Sequence, residues 1–383
     1  MDEQVDKETG EIKSKPKGKG SFWISRQAIE VLLNNKATAM QIAAYLVMAK
    51  HTEASGKLAT SGIKAIHKAT GVSHTIGERA MLALMDMRHE NKNNSKIREK
   101  ADKLIYKPEE WFKLTGDVIP PAPFERAEVR YVLNDFKAKP EDRVWFSNEL
   151  ITGVGKFTQP LKRLKMCGDV AARLLLISYR ENNLEQYGGI STLAFCEVYE
   201  MKRHPEVKGF DLWHGTHLHR SAFDTAALPA LGIKAYPKDK EEALKPFWDA
   251  LRSLDSAGFI YQMVTVMDRE QGDAEAQVIY ELDTKSKHGY KPIGEEGLAG
   301  ITAKIAATLG NPVADKTGRF YDKYAAIVPA GIKPHIVGIY RLRFRVSNTK
   351  NHGVSSAWTR IQQGQREANE QLNELKNRLQ QDV

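Results

Sequence analysis

Four groups of side chains in this sequence have the types and spacing for chemistry. His214, His217 and His219 lie close together, and neutral imidazoles can ligate a divalent metal ion. Ser73, His74, Thr75, Glu78 and Arg79 form a second group, rich in the donors and acceptors that match base edges; arginine pairs bidentately with guanine. Lys92, Lys96, Arg98 and Lys100 crowd a short basic segment, and such cations contact phosphates. Arg341, Arg343 and Arg345 alternate with Tyr340, Leu342, Phe344 and Val346. On a strand that alternation makes one face aromatic and aliphatic and the other largely arginine, a row able to grip phosphates or enter a groove. A solvated outer sheet face would carry the same row.

Other chemistry has little support. The chain has 383 residues and two cysteines, Cys167 and Cys196, with no CxxC pair. That usage fits a reducing compartment such as the cytoplasm, without a disulfide framework or thiolate metal site. There is no Walker-type GxxxxGK[ST] for nucleotide hydrolysis. Asp315 with Asp322, and Glu295 with Glu296, lack partners and read as solvated surface. We expect no cofactor and no bound metal. No apolar run reaches bilayer length, so no membrane association is expected. Net charge is +9 and the pI is near 9.2, a balance that suits a nucleic-acid partner.

The second group needs a rigid support, and the sequence around it supplies one. In LATSGIKAIHKATGVSHTIGERAMLALMDMR, Thr60 or Ser61 can cap a helix from Ile63 to Ala69, and Gly71 frees the backbone for a sharp turn. Ser73 or Thr75 caps the next helix, with Thr75 and Glu78 at capping-box spacing. Ile76, Ala80, Leu84 and Met87 form its expected apolar stripe. Two helices joined by Gly71-Val72-Ser73 resemble a helix-turn-helix, whose second helix lies in the major groove. Gly77 stands where such motifs carry an apolar residue. An ordinary helical hairpin is the alternative.

Around this motif the chain divides into segments. Residues 1–20 are a basic-ended tail of low hydrophobicity, expected to be disordered. Residues 21–118 form an N-terminal winged-helix or helix-turn-helix domain: Ser25 caps a helix to about Asn34, and Thr38 starts one to about His51. The basic segment after Arg88 suits a wing. Pro120, Pro121 and Pro123 mark a linker, 119–143. Residues 144–290 form a second winged-helix-like domain with an insertion at 201–240. It opens with the strand VWFSNELI, continues through the helix GDVAARLLLISYR and a helix from Ser191 to Lys202, and places the histidine segment in a loop because of Gly215. It closes with a helix ended by Gly258, the strands FIYQMVTVMD and QVIYELD, and an acidic loop between them, which would repel phosphates; Pro246 is expected to set that helix's start. Residues 291–350 form a C-terminal extension with a helix at Glu295–Leu309 and the strand HIVGIYRLRFRVS. Residues 351–383 form an amphipathic helix in which Trp358, Ile361, Gln365, Ala368, Leu372, Leu375 and Leu379 make a short heptad seam, weakened by Gly364. The fold class expected is therefore mixed α/β and mainly helical, with two winged-helix units, small β-wings, and a C-terminal strand and helix.

WFSNELI followed by KFTQPLKRLKMCGDVAARLLLISYRENN resembles the strand and first helix of the second winged domain in replication initiators of plasmids and related mobile elements. The likeness covers about half the chain. It implies sequence-specific binding of double-stranded origin repeats and recruitment of host replication proteins, and it requires no catalysis. A transcriptional regulator at a promoter operator would use the same units. The seam at 358–379 would suit a homodimer spanning repeated half-sites. His217-Leu218-His219 is similar to the His-hydrophobic-His motif of rolling-circle nucleases, which implies Tyr321 or Tyr324 as the nucleophile, and LWHGT to the nicotinamide-binding strand of ADP-ribosyltransferases; either would make the chain an enzyme.

Overall fold

The computed structural model describes residues 20–52, 58–88, 103–115, 130–134, 138–155, 157–183, 189–190, 195–203, 210–222, 229–233, 240–267, 278–282, 325–329, 333 and 335–344. The chain is mixed α/β, mainly helical, with antiparallel sheets. It divides into two compact units that interleave in sequence. The first draws on Met1–Arg180, Leu228–Ala257 and Phe344–Ser347; the second on Glu181–Ala227, Gly258–Arg343 and Asn348–Val383.

In the first unit β1 (Ser21–Ser25) runs into α1 (Arg26–Asn34), capped by the Ser25 hydroxyl, which accepts from the Ala28 N–H at 2.9 Å. Next comes α2 (Ala39–Lys50). Thr38 and Gln41 close a capping box there, each side chain accepting from the other's backbone N–H. The sequence suggests one apolar stripe on α2, but both Tyr45 and its neighbours Ala44, Leu46 and Val47 are buried, so the helix is enclosed on all sides. β2 (Leu58–Ala59), α3 (Ile63–Thr70), α4 (His74–Asp86), β3 (Ile105–Tyr106), α5 (Pro108–Thr115) and β4 (Tyr131–Leu133) follow. The three strands pair antiparallel in the order β2-β4-β3, over a small core of Leu58, Tyr106, Trp111 and Val132.

The strand expected to open a second domain does something else. β5 (Arg143–Ser147) pairs along its whole length with β1, Ser21 opposite Ser147 and Ser25 opposite Arg143. Phe22 stacks on Phe146, and Phe146 on Tyr179. After α6 (Glu149–Thr152) come α7 (Pro160–Cys167) and α8 (Asp169–Arg180), whose Leu174, Leu175 and Ile177 are buried as their spacing suggests. α8 packs on α1, α2 and, later in the chain, α9 (Lys240–Ser256). α9 begins at Lys240, well before Pro246, which sits exposed within the helix rather than setting its start.

The second unit is built on strands. β6 (Asn182–Asn183) pairs with β7 (Gly189–Ile190). β8 (Phe195–Arg203), β9 (Phe210–Ala222), β10 (Ile260–Met267), β11 (Val278–Leu282), β12 (Ala325–Pro329) and β13 (His335–Leu342) form one antiparallel sheet in the order β11-β10-β13-β8-β9-β12. Two expectations fall here. Residues expected as a helix, Ser191 to Lys202, contribute strand β8; a short apolar run with Val198 and Tyr199 satisfies either period, and pairing with β9 and β13 decides it. The histidine segment is strand, not loop. Gly215 falls where the β8–β9 register shifts between Glu200 and Met201, so it marks a bulge rather than a strand end. The β10–β11 pair is also no isolated wing, because β13 occupies the other edge of β10.

Candidate nucleic-acid interface

The turn between α3 and α4 is set by backbone chemistry. Gly71 takes φ 69°, the left-handed region, and its N–H donates to the His67 carbonyl at 2.8 Å, ending α3. The Thr70 hydroxyl donates to the Ile66 carbonyl at 2.7 Å, and Val72 is buried. Ser73 then caps α4, its hydroxyl accepting from the Ile76 N–H at 3.4 Å. The Thr75–Glu78 capping box does not form, since Thr75 is already inside the helix. Gly62, not Thr60 or Ser61, caps α3, with no side-chain bond.

Three residues of the expected stripe, Ala80, Leu84 and Met87, are buried, and Ile76 departs from it. Gly77, Ala80, Met81, Leu84 and Met85 are buried, while Ile76 is 46 % exposed. Gly77 takes the buried place expected for Ile76. A Cβ there would stand 3.4 Å from Ile63 Cγ2 and 3.7 Å from Ile66 Cγ2, so α3 approaches α4 over a position with no side chain. The apolar residue expected at this place in the motif is supplied from α3 instead.

Ser73, His74, Thr75, Glu78 and Arg79 are all exposed on or before the first turns of α4. His74 is anchored: its ring meets that of His67 edge-on, with centroids 4.9 Å apart. His67 Nδ1 donates to the Val72 carbonyl, which fixes the tautomer and holds the ring against the turn. Glu78 faces the neighbourhood of Arg130 and Tyr131; burial pushes the Tyr131 hydroxyl above its ordinary range, Arg130 pulls it down and Glu78 pushes it up. At the end of α2, burial and then the nearby charge of Lys68 lower Lys50, and burial and then Lys50 lower His51. The Lys50 cation at the end of α2 therefore lies within electrostatic reach of Lys68 on α3.

Two surface residues were not legible as part of this site. Ile76 reads as core because its spacing to Ala80 and Leu84 is helical. Lys162, on α7, is distant in sequence, yet its Cδ would be 3.5 Å from a Cβ on Gly71. Only the packing of α7 on α3 brings it there.

The other expected groups fare differently. Arg341 is 3 % exposed, Arg343 is half-buried, and Arg345 lies outside the described residues. The arginine row is thus no open face. β13 sits inside the sheet, and β7 lies on it so closely that a Cβ on Gly189 would be 2.7 Å from Ile339 Cγ2 and 3.2 Å from Arg341 Cγ. Lys92, Lys96, Arg98 and Lys100 lie outside the described residues, though Arg88 and Lys103 pair antiparallel at the ends of that segment. The heptad seam, Tyr321, Tyr324 and the helix at Glu295–Leu309 also lie outside. His214, His217 and His219 occupy β9 opposite Lys202, Glu200 and Val198. Among the described residues no cluster of metal-ligating side chains forms, and no helix is long and apolar enough to cross a membrane. No protein-family model, curated protein or solved structure matches the chain.

Proposed function

We propose that the chain is a sequence-specific double-stranded DNA-binding protein that reads bases with α4. The observation that supports this is the turn at Gly71, which holds α4 against α3 while leaving His74, Thr75, Glu78 and Arg79 exposed at its start. The early residues of a recognition helix are those that reach base edges. The antiparallel pairing of β3 with β4 after α4 is compatible with a winged-helix reading of this unit, although β4 comes from residues expected as linker. The resemblance to plasmid and mobile-element initiators makes origin repeats the preferred target and host replication proteins the next partners. Selection of binding sites from random duplex DNA tests the reading. Enrichment of one consensus is expected, and recovery of no preferred sequence would overturn it. Repeated copies of that consensus beside the gene fit an initiator, whereas a single palindrome over the promoter fits a regulator.

One observation favours a second reading. His217-Leu218-His219 is on a strand of an antiparallel sheet, where the rolling-circle nuclease motif belongs. Manganese-dependent nicking of single-stranded DNA, abolished in His217→Ala and His219→Ala, would establish it; no nicking with the metal present would remove it.

A further inference from the structure

We propose that α7 is a phosphate-contacting element of the same interface, gripping the DNA strand that runs beside α3 and the turn. The inference rests on the reading of α4 as the DNA-facing helix. α7 is fixed by its apolar side: Leu161 and Leu164 are fully buried and the helix packs on α2, α3 and α8. Lys162 and Lys165 point the other way and are exposed. Lys162 lies with its aliphatic stem over Gly71, so the body of the protein, rather than a flexible tail, holds this side chain beside the α3–α4 turn.

Charge supports the placement. The sequences IKAIHKAT of α3 and PLKRLKMC of α7 contain no Asp or Glu. Among the described residues, Lys64, Lys68, Lys162 and Lys165 have no carboxylate within ion-pair distance. Lys50 adds a further cation close to Lys68. Elsewhere the first unit does pair its charges, as Lys245 and Arg252 do with Asp249. Unbalanced like charges on two adjoining helices repel one another, and a polyanion relieves that repulsion. Duplex DNA presents a row of phosphates on each side of the groove that α4 would occupy. A helix packed beside the turn meets that row, and contacts of this kind set register without reading sequence.

The test compares the full-length chain with its Lys162→Ala/Lys165→Ala variant on the selected consensus duplex and on a scrambled duplex, across a range of salt concentrations. Removing one phosphate-bound cation should lower the slope of log affinity against log salt by about 0.9, and removing both by about 1.8. The weakening should be equal on the two duplexes, and the consensus should not change. The Lys162→Arg/Lys165→Arg variant should keep the wild-type slope. If the wild-type chain binds duplex DNA and the alanine variant has the same slope, α7 is off the DNA and this inference is wrong while the reading of α4 stands. If the wild-type chain prefers RNA or single strands, or binds no duplex at all, the reading of α4 itself fails and takes this inference with it.

Discussion

The guanidinium of Arg173 donates to the carbonyl of Ala37 at 3.1 Å, across 136 positions of sequence. The same Nη1 donates to Lys36, and Nη2 to Leu231, each at 3.1 Å. One buried side chain thus closes three carbonyls from the α1–α2 turn and the segment before α9, and Asp169 one turn earlier accepts from the N–H of Ala39 at 2.8 Å. Lys36 holds φ 50°, a left-handed conformation unusual for lysine, at the point where its carbonyl is gripped. Arg173→Leu would leave the carbonyls unsatisfied in the interior. We expect a loss of about 3 kcal/mol or more, read as a lower urea midpoint at unchanged slope. A loss below about 1 kcal/mol would mean that water reaches those carbonyls.

Gly71 and Gly77, at the turn and on the proposed reading helix, should respond in opposite ways to an added methyl. Gly71 has positive φ, so Gly71→Ala should cost about 1–2 kcal/mol and disturb the turn. Gly77 is helical, and the contacts a methyl would make at 3.4 and 3.7 Å are ordinary. Gly77→Ala should therefore be neutral or stabilise by up to about 1 kcal/mol through helix propensity. Thermal unfolding of both variants decides the point; a strongly destabilised Gly77→Ala would show that α3 has no room to give.

How much of this was legible depended on whether a residue's partners are local. The caps at Ser25, Thr38 and Ser73 and the turn at Gly71 rest on neighbours within a few positions, and the sequence shows them. The place of β13 between β8 and β10, and with it the burial of Arg341, depends on strands that meet from distant parts of the chain, which no short pattern reveals. On α4 the burial of Ala80, Leu84 and Met87 was legible and the exposure of Ile76 was not, for a related reason: a glycine carries no hydrophobic signal, although Gly77 is where α3 and α4 touch.

The orientation of α4 is itself testable. Ile76, on the exposed side of the helix, should tolerate Ile76→Ala with a stability change within about 0.5 kcal/mol. Leu84, fully buried, should lose about 2–5 kcal/mol as Leu84→Ala. If the two variants are equally destabilised, the helix is rotated from the orientation described.

Cys167 offers a chemical check on the packing of α7 against α9. Its thiol donates to the Ser253 carbonyl at 3.6 Å, and burial pushes its pKa up from 9.0 to about 11. The raised value means the folded chain keeps the proton where an exposed thiol has begun to lose it. Alkylation at Cys167 should accordingly be slow at neutral pH and rise only as pH approaches about 11, whereas the urea-unfolded chain should react from about pH 9. The same sign makes this thiol's contribution to stability fall as pH rises through that window. Fast labelling of the folded protein at about pH 8 would place α7 away from α9.

Arg79 carries the sharpest prediction about reading. It is exposed on α4, one turn beyond Thr75, and no carboxylate holds it among the described residues. A guanidinium there can lie flat against the O6 and N7 of a guanine, a pairing worth about 1–3 kcal/mol of discrimination. Arg79→Ala should then abolish preference at one base pair of the selected site while the rest of the consensus survives. Arg79→Lys should recover general affinity but not that base preference, because a single ammonium cannot make the fork. Equal weakening on every sequence, with the consensus intact, would make Arg79 a phosphate contact and move the reading to His74 and Thr75.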